Sequence, residues 1–350
     1  PDEGGIFVED GIGLGNRRLS IIDLSNGQQP IFNEDNSMVI VYNSEIYNFK
    51  EIRDTLAAKG HVFKTNTDTE MILHAYEEYG TACLDKFNGM FAFAIWDKTR
   101  RELFIARDRL GIKPLFYSLA DGVLSFGSEI KCILKNDLMT PELNLDAMDT
   151  YFTLGYLPSY LTIFSGIEKL MPGHYLICSE KGMQIKQYWD VDFRNKRSGS
   201  ESELFDEFLE LLKRAVKLRL ISDVPLGAFL SGGIDSSLIV ALMSEVADLP
   251  PRTFSIGFDD ALYDETPFSD LVAKQYNTVH QNHTVQADIQ NVLGQIVSAF
   301  DEPFADDGAI PCFHVCRETR KAVTVALSGL GGDELFGGYH RYLGFSLSQW

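Results

Sequence analysis

The sequence predicts two unlike domains in tandem, an antiparallel α+β domain followed by an α/β domain with a mainly parallel sheet. Three observations carry this reading. Short strands in consecutive hairpins fill residues 1–193, a polar linker occupies 194–203, and from 204 to 350 the rhythm becomes strand, loop, helix. The length of 350 residues agrees, since a domain takes roughly 150 residues as a soft prior.

The elements follow in order. Met38–Tyr42 is apolar and β-branched. Met90–Trp96 and Leu103–Ala106 flank the polar turn Lys98-Thr99-Arg100. A second hairpin pairs Leu115–Tyr117 with Val123–Phe126 around Asp121-Gly122, and a third pairs Tyr175–Cys178 with Met183–Tyr188. Two helices interrupt them. One starts at Asn48 with Glu51 as its capping-box partner and stops at Gly60, and the other runs from about Thr69 to Tyr79 before Gly80. Past the linker come an amphipathic helix from Glu203 to Leu220, a strand at Leu226–Leu230 and a helix at Ser237–Val246. Further buried strands lie at Thr253–Phe258 and Val323–Leu327. Parallel sheets of this kind place ligands at the carboxyl ends of their strands.

Composition excludes several classes. Thirty-one Lys+Arg against 50 Asp+Glu give a net charge of −19, which offers no broad basic surface for nucleic acid. The longest apolar run, Met90–Trp96, is too short to span a bilayer. Five scattered cysteines fit a reducing cytoplasm better than a disulfide scaffold. Cys312 and Cys316 sit at helical spacing beside apolar neighbours and read as a helix face rather than a zinc site. His280 and His283 read as a solvated polar loop. The chain opens at Pro1 and closes at Trp350 just after a motif, so it reads as a fragment.

The sharpest chemical signal is Ser231-Gly232-Gly233-Ile234-Asp235-Ser236-Ser237, set between an apolar strand and a helix. Glycines bring backbone N–H groups close to an anion, the helix N-terminus adds partial positive charge, and three serines add hydroxyl donors. No lysine is present, so this is not the usual nucleoside-triphosphatase loop. The pattern is a neutral pyrophosphate cradle with Asp235 as a carboxylate for Mg²⁺. A second glycine loop, Ser328-Gly329-Leu330-Gly331-Gly332-Asp333-Glu334, also follows an apolar strand. Two such loops at strand ends of one sheet predict one shared site where backbone approaches a nucleotide.

These strings together resemble the glutamine-hydrolysing asparagine synthetase family. The first half agrees through Asn16-Arg17-Arg18-Leu19-Ser20-Ile21-Ile22-Asp23, Asn43-Ser44-Glu45-Ile46-Tyr47-Asn48, Thr67-Asp68-Thr69-Glu70 and Ala106-Arg107-Asp108-Arg109-Leu110-Gly111-Ile112-Lys113. Asp264-Glu265-Thr266 and Asp301-Glu302-Pro303-Phe304 are similar to family segments too. The resemblance implies an N-terminal-nucleophile (Ntn) sandwich acting as a class II glutaminase, followed by a PP-loop ATP pyrophosphatase domain. It implies glutamine, ATP and aspartate or another carboxylate as substrates, Mg²⁺ as cofactor, no nucleic-acid or membrane partner, a cytoplasmic location, and an assembly compatible with a homodimer.

By the same resemblance, Arg18 holds the glutamine α-carboxylate, with Leu19, Ser20, Ile21 and Ile22 beside it. Asn43 is an oxyanion donor with Ser44 next to it, and Glu45 and Asp68 bind the glutamine ammonium. Asp68 also fits the N-cap of the following helix. Leu230, Ser231, Gly232, Gly233, Asp235, Ser236, Ser237, Ile256, Ser328 and Gly329 would contact ATP, with Asp235 and Asp333 as metal ligands. The nucleophilic cysteine and a lysine near the adenylate are expected outside this chain, with Pro1-Asp2 matching the end of an upstream family segment. Two departures stand out. Ser44 replaces a glycine, which is costly if φ there is positive. Leu330 stands where asparagine synthetases usually carry an acid, so the acceptor could instead be a carboxylate on a sugar or secondary metabolite. A catalytically weak paralogue is the remaining alternative.

Overall fold

A computed structural model describes residues 2–258, 264–285, 289–306 and 308–348. Pro1 and Trp350 lie outside the described residues. The chain divides into two compact units, Pro1–Lys196 with Val297–Asp306, and Arg197–Ile296 with Asp307–Trp350. The stretch from Val297 to Asp306 therefore belongs to the first unit, where the strand–helix rhythm alone assigns it to the second. Its Asp301 and Glu302 pair with Lys131 (3.2 Å) and Lys169 (2.8 Å).

The first unit begins with a two-stranded ribbon, β1 (Glu3–Glu9) and β2 (Ile12–Arg18), that sequence pattern alone did not indicate. Then come β3 (Ile31–Phe32), β4 (Met38–Ile46), helices α1 (Phe49–Ala58) and α2 (Asp68–Tyr79), β5 (Gly89–Asp97) and β6 (Glu102–Arg107). Next are β7 (Phe116–Ala120), β8 (Val123–Gly127), α3 (Ile130–Ile133), α4 (Leu145–Leu154), β9 (Glu168–Lys169), β10 (His174–Ser179) and β11 (Gly182–Gln187). All three expected hairpins form. The main sheet is antiparallel in the order β11-β10-β6-β5-β4-β3. Val39, Val41, Ala94, Trp96, Ile105 and Leu176 of its strands bury one face together with Leu14 and Leu115. Continuous apolar runs such as Met90–Trp96 are required because both faces of a central strand are covered.

The helix starts differ from expectation in an instructive way. No capping box forms at Asn48. Its side chain instead donates to the Lys86 carbonyl (3.0 Å) and accepts from the Asn88 N–H (2.9 Å), bracing the chain just before β5. Thr67, not Asp68, caps α2 by accepting from Glu70 N (3.2 Å). Asp68 is thereby freed for the site described below.

One buried acid organises the loop after β6. Asp108 accepts backbone N–H groups from Phe91 (3.1 Å), Leu110 (3.1 Å), Ile112 (2.9 Å) and Lys113 (2.9 Å). It is 1% exposed, so no water replaces a lost acceptor. Asp108→Ala would strand four donors and should lower stability by about 3 kcal/mol, since hydrogen bonds to a charged group are the strong ones and orphaned buried donors are costly. A chemical-denaturation midpoint unchanged from the parent would contradict this.

The second unit alternates as the sequence requires. It runs α5 (Glu201–Arg219), β12 (Leu226–Phe229), α6 (Ile234–Val246), β13 (Arg252–Phe258), α7 (Thr266–Gln275), β14 (Val279–Val285) and α8 (Ile289–Ala299), the last three residues of which fall in the first unit. It closes with α9 (Ala309–Thr319), β15 (Val325–Leu327), α10 (Gly332–Phe336) and α11 (His340–Ser348). The sheet is parallel, in the order β14-β13-β12-β15. A capping box of Ser200 with Glu203 starts α5. His280 and His283 lie on strand β14 rather than in a loop. His280 bridges to Thr253 Oγ1 (2.8 Å) and Asn282 Oδ1 (2.8 Å). Cys312 and Cys316 share a face of α9 with sulfurs 4.0 Å apart. Among the described residues no helix is long and apolar enough to cross a membrane.

Candidate active sites

Strands β2 and β4 and the start of α2 bring the first set of residues together. Arg18 ends β2 and is 9% exposed. Its guanidinium donates to Glu3 Oε1 (2.6 Å), the Ile22 carbonyl (2.5 Å) and the Asp23 carbonyl (3.1 Å). A guanidinium carries five N–H donors in a fixed fork, so two remain for a ligand carboxylate. Residues 19–22 form the loop that these bonds tie down. Within it, Ser20 N donates to Asp2 Oδ2 (3.0 Å), Ile22 is buried, and Leu19 is exposed.

Asn43, Ser44 and Glu45 lie on β4, opposite Ala92, Phe91 and Met90 of β5. Asn43 is exposed and its amide donates to Ser128 Oγ (3.3 Å). Ser44 sits in extended backbone and is absent from the positive-φ residues, so the strain expected of a non-glycine there does not arise. Its hydroxyl donates to the Met90 carbonyl. Asp68 is buried and accepts from Tyr42 Oη (2.5 Å) and the Ile46 N–H (2.9 Å).

Glu45 lies within the electrostatic influence of both Asp68 and Arg18. Burial, and then the neighbouring Asp68 charge, push the Glu45 carboxyl up to about 8, while Lys113 and Arg18 pull it down. Burial also raises Asp68 against its hydrogen bonds. Burial depresses Lys113, which Glu45 and Asp108 oppose. Two buried acids held close together, only partly offset by Lys113 and Arg18, suit a ligand that brings an ammonium group. Lys113 and Tyr42 went unassigned in the sequence. Lys113 stood in a quoted string, but nothing in its spacing pointed to Glu45, which lies far away along the chain.

In the second unit, the loop after β12 and the loop after β15 meet. β12 and β15 are parallel neighbours, so their carboxyl ends adjoin. A Cβ on Gly329 would stand 2.7 Å from Ser236 N, and one on Gly332 would stand 2.4 Å from the Asp235 carboxylate. Backbone leaves no room for a side chain at 329, and a side chain at 332 would push the Asp235 carboxylate aside. Gly232 takes φ +87°, the left-handed turn that the first loop needs.

Ser231 and Ser236 hydroxyls are 3.0 Å apart, and Gly233 N donates to Ser231 Oγ (3.2 Å). Ser237 Oγ is buried and has no hydrogen-bond partner among the described residues. Asp235 lies against the second glycine loop, and Asp333 follows that loop on α10; both are half-buried carboxylates, the donor type that Mg²⁺ takes. Ser328 Oγ accepts from Leu330 N (3.4 Å). Leu230 is 1% exposed and its side chain is part of the core. Its N–H donates to the Phe254 carbonyl and its carbonyl accepts from Ser255. Ile256, half-buried on β13, lies next to that contact.

The family model "Glutamine amidotransferase domain" matches residues 1–189, and "Asparagine synthase" matches residues 207–350. The chain is 40% identical to the putative asparagine synthetase [glutamine-hydrolyzing] 2 of Methanocaldococcus jannaschii, over 98% of this chain and 70% of that protein. The chain belongs to the glutamine-hydrolysing asparagine synthetase family. It is also 39% identical to asparagine synthetase [glutamine-hydrolyzing] 1 of Bacillus subtilis, covering 98% of this chain and 54% of that protein. It is 33% identical to a protein named amidase chyE from Penicillium rubens, over 97% of this chain and 53% of that protein. The chain thus spans about half of the length of two of these relatives and 70% of the third. Within the family, the antiparallel unit is the Ntn-type amidotransferase domain, and the parallel unit is the PP-loop domain.

Proposed function

We propose that this chain forms the two catalytic domains of an ATP-dependent, glutamine-hydrolysing asparagine synthetase of the cytoplasm. Arg18 takes the glutamine α-carboxylate, Glu45 and Asp68 take its ammonium, and Asn43 donates to the oxyanion as an N-terminal cysteine outside this chain attacks the amide. A positioned oxyanion donor of this kind lowers a barrier by about 3 kcal/mol. In the second domain the β-carboxylate of aspartate attacks the α-phosphorus of ATP, and pyrophosphate leaves into the cradle of residues 231–237. Ammonia then attacks the β-aspartyl-AMP carbonyl, and AMP leaves as asparagine forms. Asp235 and Asp333 would hold Mg²⁺, which supplies charge neutralisation on the phosphates. The observation that supports this reading most is the approach of Gly329 and Gly332 onto Asp235 and Ser236, which joins two separate glycine loops around one carboxylate.

A second reading, the same chemistry on another carboxylate, draws on Leu330. This side chain is 86% exposed at the mouth of the second loop and has no ionisable group. Glu334 does not replace the family acid. It accepts from Gly331 N (3.1 Å) and Tyr339 Oη (2.7 Å), and the Tyr339 bond leads in holding its carboxyl below the usual range. The whole enzyme and its Leu330→Glu variant should be compared for aspartate-dependent pyrophosphate release. A severalfold gain in the variant is the expected result. Rapid aspartate turnover by the parent with no gain from glutamate would show that Leu330 is no obstacle.

A further inference from the structure

A cluster outside both sites is built like a metal centre. Glu34 follows β3, His61 follows α1, and His74 and Glu77 lie one turn apart on α2, so three separate segments converge. His74 Nδ1 stands 2.8 Å from Glu77 Oε2 and 3.4 Å from Glu34 Oε2. His61 Nδ1 stands 3.7 Å from Glu34 Oε1 and 3.8 Å from Glu77 Oε2. One donor atom from each of the four residues falls within 4.8 Å of all the others. Zinc–nitrogen and zinc–oxygen bonds of about 2.0–2.1 Å give tetrahedron edges of roughly 3.3 Å. The observed spacings surround that value.

The groups behind these donors are arranged as metal sites require. Metal-bound histidines pass their other ring N–H to a carboxylate, and metal-bound carboxylates are themselves hydrogen-bonded. His74 is 0% exposed, and its Nε2 has no hydrogen-bond partner among the described residues. That nitrogen faces Glu70 Oε1 at 3.6 Å. Glu70 is pinned by Lys64 N (2.8 Å), Thr65 N (2.6 Å) and Thr65 Oγ1 (2.7 Å). His61 Nε2 likewise faces Glu78 Oε2 at 3.5 Å. Asn33 Nδ2 donates to the second oxygen of Glu77 (2.7 Å), and Val62 N donates to Glu34 (2.9 Å). His74 therefore turns Nδ1 toward Glu77 and Glu34 and Nε2 toward Glu70, the division of roles that a metal-bound imidazole needs.

The geometry points to a binding site for one divalent transition-metal ion of the zinc class, held by His61, His74, Glu34 and Glu77. Two imidazoles and two carboxylates suit zinc and its neighbours and disfavour Mg²⁺, which takes oxygen ligands and keeps water. The ion would clamp two loops to α2, the helix whose first residue, Asp68, enters the glutamine pocket.

The test uses the chain carrying Cys132→Ser, Cys312→Ser and Cys316→Ser, so that no exposed thiol competes. After chelator treatment, zinc chloride is titrated by calorimetry against this parent, Glu34→Gln and His61→Ala. One zinc per chain is expected in the parent, with affinity at least about tenfold weaker in each variant. Zinc should also raise the melting temperature of the parent and not that of His61→Ala. Circular dichroism identifies any variant that fails to fold, and His61, partly exposed, is the safer of the two. A parent that binds no zinc, or a folded His61→Ala that binds it equally well, would overturn the assignment.

Discussion

Asp235→Asn in the whole enzyme should cut ATP-dependent pyrophosphate release at least about a hundredfold, because a metal clamp on phosphoryl oxygens supplies several kcal/mol to the transition state and each 1.36 kcal/mol is tenfold in rate. The substitution keeps shape and removes one negative charge from the point where both glycine loops touch. Glutamine binding, measured separately by calorimetry, should stay unchanged, since the glutamine pocket lies in a different compact unit. Pyrophosphate release near the parent rate would remove Asp235 from the site.

Glu45→Gln should do two opposite things. Glutamine capture should weaken at least about tenfold, because a charge-assisted hydrogen bond to the ligand ammonium is lost. Stability at neutral pH should rise by roughly 1 kcal/mol, as functional sites commonly hold such reserves. The sign follows from the pKa. Folding raises the Glu45 carboxyl from its ordinary 4.5 to about 8, so the native state binds more protons than the unfolded chain between those values. Unfolding free energy therefore falls as pH climbs through that window, and the glutamine variant should lack this slope. Glutamine affinity of the parent should improve over the same window as the carboxylate ionises. Parallel stability profiles for parent and variant from pH 5 to about 9 would contradict the assignment.

The resemblance read from the strings supplied the family, and the hydrophobic rhythm supplied the order of elements. The three hairpins and the strand–loop–helix alternation were legible because apolar period and turn residues agree there, as at Asp121-Gly122. The ribbon β1–β2 was not, since its strands expose Ile6 (81%) and Val8 (72%) and carry several glycines. Strand β14 was missed because Val279–Val285 is mostly polar and exposed. Caps were misplaced at Asn48 and Asp68, where tertiary partners outbid local ones: Lys86 and Asn88 for the first, Tyr42 and Ile46 for the second. Arg18, Asn43, Glu45, Asp68 and the two glycine loops were named in sequence, whereas Lys113, Tyr42 and the cluster around His74 were not. Their mutual electrostatics was not, because Lys113 reaches Glu45 and Asn33 reaches Glu77 only through sheet pairing and helix packing.

The central claim is that residues 231–237 and 328–333 cradle the pyrophosphate end of ATP while a carboxylate attacks its α-phosphorus. Product analysis with ATP labelled at its separate phosphates, in the whole enzyme with ammonia and aspartate, tests this directly. AMP and pyrophosphate are expected in equal amounts with the amide formed, with no turnover in the absence of a carboxylate. ADP and inorganic phosphate as products, or pyrophosphate release indifferent to any added carboxylate, would contradict it.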